Sequence, residues 1–282
     1  MSKFAILTDS SANLPKTFVN HHNIRVVPLK IRWDDTNLRD GVDISPTEFY
    51  ERLARSSTIP TTSQPPADEF LQLYEELAAD HDGIIVPLIS SGISGTVSSA
   101  KTAASMFSKV PVEIIDTLST TSGLALVVTA IARAITDGMS LAATVQLAES
   151  IVQQLDLFFA VDTLEYLHKG GRIGGASRYL GTALSIKPIL YLNDQGKIDA
   201  LERVRTKPKV IARLVELVVE KAAGESAHIG ITHANALEEA KHLRDQLLLQ
   251  LDCRHSEIYD FSPVIGTHVG PGTLGVAFYP EE

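Results

Sequence analysis

Val86–Ala104 reads VPLISSGISGTVSSAKTAA. The apolar run ends at Ile89 and enters four hydroxyl residues, Ser90, Ser91, Ser94 and Thr96. Gly92 and Gly95 lie among them, and small residues suited to a helix follow. Strand, glycine-bearing loop and helix in that order form the unit of an open parallel sheet. Similar β-rich runs occur at FAILT (4–8), IRVVPLKIRW (24–33), GIIVPLI (83–89) and VEIID (112–116), separated by helix-like segments. The spacing predicts an α/β first half, a mostly parallel sheet with helices on both faces. Within it, Ser45-Pro46-Thr47-Glu48 has a cap, a proline at the first helical position and a glutamate three after the cap, which starts a helix through EFYERLAR. PTTSQPP (60–66), with three prolines, reads as an ordered loop before the helix ADEFLQLYEELAA.

Helical patterns at 122–136 and 140–155 close this half, and LFFAVD opens the next strand, so the boundary falls near residue 155. The expected division is residues 1–155 and 156–282. The second half carries a glycine-rich segment, LHKGGRIGGASRYLG. It also carries IKPILYLNDQGKIDALERVRT, in which Asp194-Gln195-Gly196 turns between two strands. With helices at 207–222 and 235–250 and strands at AHIGITH and LGVAFY, this half reads as α+β with mixed or antiparallel pairing.

The 282 residues carry 25 basic and 34 acidic side chains, a formal charge of −9 without a dense basic run. That opposes nucleic-acid binding. A single cysteine, Cys253, stands outside any zinc or redox spacing and fits a cytoplasmic protein. The most apolar segment, GLALVVTAIARAI, is interrupted by Arg133 and falls short of the roughly 20 residues of a membrane span. GPGTLG (270–275) matches a dinucleotide-loop pattern, but seven residues remain after it, too few for the helix and strand of that fold. GISGT has Thr96 where a nucleophile elbow needs glycine. Asp9 ends the first strand, but Ser11 stands where an aspartyl phosphotransferase has its second carboxylate. No P-loop is present, and the nine histidines share no metal-ligand spacing. Neither a metal nor a cofactor is expected.

Hydroxyl residues recur in TDSS (8–11), TTS (61–63), SSGIS with Thr96 (90–96) and TLSTTS (117–122). Strand exits of a parallel sheet lie on one edge, where helix N-termini also point and where ligands bind. Any one of these residues could simply cap a helix. Four such loops together read as a clamp of neutral donors without a nearby lysine or arginine, suited to a singly charged carboxylate. An acyl tail, if present, contributes about 0.8 kcal/mol per buried CH₂.

In order along the chain, TDSSANLP (8–15), PTTSQPP (60–66), SSGISGT (90–96), DTLSTTSG (116–123), LEYLHKGGRIG (164–174), LSIKPIL (184–190), RVRT (203–206) and GTHVGPGTLG (266–275) resemble the DegV family of bacterial fatty-acid-binding proteins. The resemblance implies a two-domain, non-catalytic carrier that holds one long-chain fatty acid in a tunnel between its domains. Its carboxylate is shown to a separate ATP-binding fatty acid kinase that makes an acyl phosphate for phospholipid metabolism. It implies carboxylate binding by Thr62, Ser94, the Gly95 N–H and His268, with Ser63 and Arg172 in support. Arg172 either positions a loop over the head group or ties the halves by ion pairs. Arg203 and Arg205 become candidates for the kinase-facing surface. Ile93 replaces a leucine frequent in the family and bears on tail fit. The competing reading is a hydrolase or phosphotransferase using Ser94 or Asp9.

Overall fold

The computed structural model describes residues 3–181 and 186–281. The first two residues of LSIKPIL, Leu184 and Ser185, lie outside them. Elements are numbered in chain order. Strands β1 (Phe4–Asp9), β2 (Arg25–Val27), β6 (Gly83–Leu88) and β7 (Val112–Asp116) form a parallel sheet ordered β2-β1-β6-β7. Strands β3 (Lys30–Trp33), β4 (Thr36–Arg39) and β5 (Thr61–Ser63) form a small antiparallel sheet ordered β4-β3-β5. The third sheet is ordered β10-β9-β8-β13-β11-β12, from β8 (Asp156–Ala160), β9 (Lys187–Leu192), β10 (Ile198–Val204), β11 (Ser226–His233), β12 (Cys253–Asp260) and β13 (Leu274–Glu281). Only β11 and β12 pair in parallel there. The helices are α1 (Lys16–His21), α2 (Pro46–Leu53), α3 (Ala67–Leu77), α4 (Thr96–Ser105), α5 (Thr121–Thr136), α6 (Leu141–Gln154), α7 (Glu165–Lys169), α8 (Lys207–Ala222), α9 (Leu237–Leu248) and α10 (Pro263–Val269).

The α/β half and the mixed second sheet agree with the sequence reading, and so does the capping box of α2. Glu48 N donates to Ser45 Oγ at 3.3 Å, and Ser45 N donates to Glu48 Oε2 at 2.9 Å. Two expectations need correction. IRVVPLKIRW is not one strand: it breaks at Pro28, which has no N–H to donate, so Arg25–Val27 joins the parallel sheet and Lys30–Trp33 starts another. PTTSQPP is not wholly loop either, because Thr61–Ser63 adds an edge strand to β3 with Thr62 opposite Ile31. The prolines flank that strand rather than interrupt it, as an edge allows.

Pro87 shapes the sheet edge used below. The β1–β6 ladder runs only from Phe4↔Gly83 to Ile6↔Ile85, stopping short of Pro87. Beyond it, side chains bridge the two strand ends: Thr8 Oγ1 donates to Pro87 O at 2.8 Å, and Ile89 N donates to Asp9 Oδ2 at 2.7 Å. The exits of β1 and β6 are therefore spaced by polar side chains instead of a backbone ladder.

The greasy segment around Gly123–Ile135 is the α5 helix. It lies between the parallel sheet and the six-stranded sheet, touching β1 and β6 on one side and β11 and β13 on the other. Ile6, Ile85, Leu124, Val128, Ala277 and Tyr279 share its core. Complete burial of Leu124, Val128 and Ile131 is worth about 1.5–3 kcal/mol each, which accounts for a helix apolar on every side. Among the described residues no helix is long and apolar enough to cross a membrane.

The predicted turn at Asp194-Gln195-Gly196 closes the β9–β10 hairpin, with Gly196 N donating to Asn193 O at 2.7 Å. Its tip packs onto the loop that follows β6. Ser90 Oγ donates to Gly196 O at 2.8 Å, and Gly92 lies so close to Gln195 O and Gly196 that a Cβ at position 92 meets backbone. A glycine on each side lets the two backbones touch.

Candidate functional site

Three of the four hydroxyl-rich segments line one cavity. Thr62 and Ser63 come from β5, Ser94 from the loop before α4, and Thr120 and Thr121 from the start of α5. Thr62, Ser63, Gln64, Ser94, Arg172 and His268 supply a polar portion of the wall. The rest is mainly apolar, including Leu29, Ile89 and Ile93 from the first half and Leu157, Phe159, Leu192, Ile198, Phe261, Val264 and Ile265 from the second. The expected hollow fed by both halves is there. The apolar residues of α5 do not line it; they form core.

Thr62 Oγ1 and His268 Nε2 are 2.7 Å apart, although 206 positions separate them in the chain. Burial, with a smaller push from Arg172, holds the His268 imidazole down at about 4, so it is neutral at pH 7. Its Nδ1 is buried without a hydrogen-bond partner among the described residues and packed against Gly170, where any Cβ would strike the ring. An orphaned lone pair is easier to accommodate than an orphaned N–H, which favours the proton on Nε2. In that tautomer Nε2–H donates to Thr62 Oγ1, and the threonine hydroxyl is left free to donate into the cavity. Ser94 Oγ and Thr96 Oγ1 are 2.8 Å apart. If Thr96 is the donor of that pair, Ser94 likewise has a proton to offer an anion.

Gly95 is the N-cap of α4 and is not among the residues lining the cavity; its Cα side is covered by the Gln64 amide. Arg172 does line it. This corrects the expectation of a clamp without a nearby cation, because the fold brings Arg172 onto the loop that carries Ser94. The guanidinium donates through Nε to Ile93 O at 3.3 Å and through a terminal nitrogen to Gly170 O at 2.8 Å. Those are bonds to backbone carbonyls, which fix the 170 loop against the 93 loop without an ion pair. Arg203 and Arg205 are exposed and away from the cavity lining. The Arg203 guanidinium lies 5.3 Å from the Tyr179 ring, on which Arg178 also stacks at 5.5 Å.

The fourth segment, TDSS, lies beneath the site. Asp9 is fully buried and accepts from Ser11 N at 2.9 Å, Ser11 Oγ at 2.5 Å and Ile89 N at 2.7 Å. It caps the short 3₁₀ turn Ser10–Ala12 and holds the exit of β6. Sequence reasoning missed its neighbour Asp40, which is 1% exposed. Asp40 Oδ2 accepts from Ser10 Oγ at 2.6 Å and Oδ1 accepts from Val264 N at 3.1 Å. Ser10 Oγ in turn accepts from Leu29 N at 3.0 Å. The buried pair thus fastens the N-terminus of α10, the helix carrying His268, to the loops after β1 and before β3.

The arrangement does little for catalysis by Ser94 or Asp9. His268 is engaged by Thr62, so no imidazole is paired with Ser94 to act as its base. Asp9 is spent on three donors and does not line the cavity. His228 and His233 lie within β11, and among the described residues no group of three or more His, Cys, Asp or Glu could hold a metal ion.

A family model described as "Uncharacterised protein, DegV family" matches residues 3–281. A DegV domain-containing protein of Halalkalibacterium halodurans is 36% identical over 289 residues, covering 100% of both chains. Protein DegV of Bacillus subtilis is 35% identical over 284 residues, covering 97% of this chain and 98% of its own. Among solved structures, a fatty-acid-binding DegV family protein from Thermus thermophilus superposes with a TM-score of 0.94 at 31% identity, covering 99% of this chain and 100% of that one. DegV of Bacillus subtilis, a fatty acid binding protein, superposes with a TM-score of 0.91 at 33% identity over 100% of both chains.

Proposed function

This chain belongs to the DegV family, and from that membership we propose that it is a cytoplasmic carrier of one long-chain fatty acid, held with its tail in the apolar cavity and its carboxylate at Thr62, Ser94 and His268. The observation that carries the reading is the cavity itself: an apolar hollow whose polar wall contains the Thr62–His268 pair at 2.7 Å. Tail burial at about 0.8 kcal/mol per CH₂ supplies most of the affinity, and the hydroxyls set orientation. Arg172 and Ser63 border the same wall and support the head group. The acid is passed, still bound, to an ATP-binding kinase that phosphorylates the carboxylate. The chain itself performs no chemistry, in keeping with the engaged states of Ser94, His268 and Asp9. The exposed Arg203 and Arg205 form part of the kinase-facing surface in this reading. The division at residue 155 is supported by the six-stranded sheet, which starts at Asp156.

Organic extraction of the purified native protein followed by mass spectrometry is expected to yield a long-chain fatty acid, close to one per chain. Delipidated protein is expected to take up added fatty acid again. A protein that carries none and takes up none removes the proposal. A serine-reactive phosphonate that labels the protein, with labelling lost in Ser94→Ala, would instead favour the hydrolase.

A further inference from the structure

Gly95 does not line the cavity; Gln64, whose amide covers the Cα side of Gly95, does. Gly95 has φ of −79° and ψ of 5°, so its backbone does not call for a glycine. What the missing side chain leaves is room. A Cβ at position 95 would come within 2.9 Å of Gln64 Nε2 and 3.0 Å of Gln64 Cδ. The Gln64 backbone is held by β5 on one side and on the other by Pro65, which restricts the residue before it to extended conformations. Gln64 is exposed as well as cavity-lining, which puts it at the mouth of the hollow. Its carboxamide makes no hydrogen bond among the described residues. A carboxylate placed at Thr62 and Ser94 has lone pairs for about four donors. Those two hydroxyls offer at most one proton each, and His268 is engaged by Thr62. Arg172 has Nε and one terminal nitrogen engaged by Ile93 O and Gly170 O. Both protons of the Gln64 amide nitrogen are free.

We propose that Gln64 is a head-group donor: its side-chain amide, laid over Gly95 at the mouth of the cavity, binds the outer carboxylate oxygen and takes the part that the family resemblance gives to the Gly95 N–H. The inference rests on the fatty-acid reading above and adds a residue that orients the acid within that site. Thr62 and Ser94 reach the carboxylate from the wall, and Gln64 reaches it from the solvent side, so the head group is fixed from two directions. An amide has two N–H donors, and an ionised oxygen draws on them more strongly than a hydroxyl does. Gly95 then serves the site indirectly, because any side chain there pushes the amide out of place.

The test titrates delipidated protein at pH 8 with hexadecanoic acid and with 1-hexadecanol, reading displacement of a fluorescent fatty acid, and takes the ratio of the two affinities. Gln64→Met keeps the length of the side chain and removes its donors. It is expected to cut the preference for the acid about ten-fold, the worth of one hydrogen bond to an ionised group, with binding of the alcohol little changed. Gln64→Glu, which sets a like charge at the mouth, is expected to cut the preference further. Gly95→Ala displaces the amide and leaves Thr62 and Ser94 in place, so it is expected to match Gln64→Met and to add nothing to it in the double variant. A preference unchanged in Gln64→Met overturns the proposal, including the case in which acid and alcohol weaken together, since the side chain then only shapes the mouth. Effects of Gly95→Ala and Gln64→Met that add in full overturn it as well, because the glycine then serves the acid by itself. Wild-type protein that binds neither probe overturns the fatty-acid reading, a result distinct from binding that Gln64 does not tune.

Discussion

On the proposed carrier function, a Thr62→Val protein is expected to retain its fatty acid to within about a factor of ten while accepting phosphate on it from the proposed kinase about a hundred times more slowly. The substitution keeps the branched shape of the side chain and removes one hydroxyl. Retention is dominated by the apolar wall, which valine does not disturb, so the loss there is one hydrogen bond to the carboxylate. Phosphoryl transfer is a different matter. It needs one carboxylate oxygen aimed at the kinase, and a displacement of about 1 Å is enough for a hundred-fold loss. His268 is tied to the same hydroxyl at 2.7 Å, so valine also leaves the imidazole unanchored. Ser94→Ala is expected to act the same way through the loop before α4. The measurement pairs a lipid-displacement assay with single-turnover phosphorylation by the partner kinase at saturating lipid. Equal losses in both assays would mean that Thr62 contributes only to holding the acid, and the orienting role would be lost.

The elements that local rules govern are the ones the sequence announces. The α2 cap and the Asp194-Gln195-Gly196 turn need only a few neighbouring residues, and α8 runs from Lys207 to Ala222 as its pattern predicts. Convergence of the loops that leave β6 and β7 followed from the rule about strand exits, whereas TTS arrives on a strand of the small sheet and TDSS, also a strand exit, lies beneath the site. What was not legible depends on pairing across long separations. The small sheet requires Thr62 to find Ile31, and nothing near either residue encodes that partner. Arg172 reaches Ile93 across 79 positions, and Asp40 reaches Val264 across 224. Gln64 and Thr120 stood inside stretches already singled out, but whether a side chain faces core, cap or cavity is settled by the layer packed against it. The left-handed backbone of Thr121 gives no sign in a sequence where glycine or asparagine would have given one.

Replacing Asp40 by asparagine is expected to flatten the dependence of stability on pH between about pH 4 and pH 7. Asp40 is buried, and no lysine, arginine or histidine forms an ion pair with it among the described residues. Burial drives its carboxyl from 3.8 up to about 7, only partly opposed by the Ser10 hydroxyl and the Val264 N–H, and the nearby Asp9 carboxylate pushes the same way. The buried Tyr50 phenol, raised well above its ordinary value, adds no charge in the working range. A folded-state value above the unfolded one means that the native protein holds this proton more tightly. The associated stability is whole below about pH 4, erodes as pH rises, and is gone once pH passes about 7. The full difference is about 4 kcal/mol, of which roughly 3 kcal/mol falls between pH 5 and pH 9. Asparagine keeps an oxygen for Val264 N–H and offers an amide to Ser10 Oγ, but it has no proton to lose. Urea unfolding of both proteins at pH 5 and pH 9 should therefore show the wild type losing roughly 3 kcal/mol more than Asp40→Asn. Asp9, also raised by burial, follows the same sign and remains in both proteins, so the difference reports Asp40 together with its coupling to Asp9. Because Val264 lies in the first turn of the helix that carries His268, the ionised carboxylate is expected to loosen the mount of the proposed head-group site as well as the fold. Fatty-acid retention should accordingly fall with rising pH more steeply in the wild type than in the variant. Parallel stability profiles would show that Asp40 stays ionised throughout, and the tie between its proton and α10 would have to be abandoned.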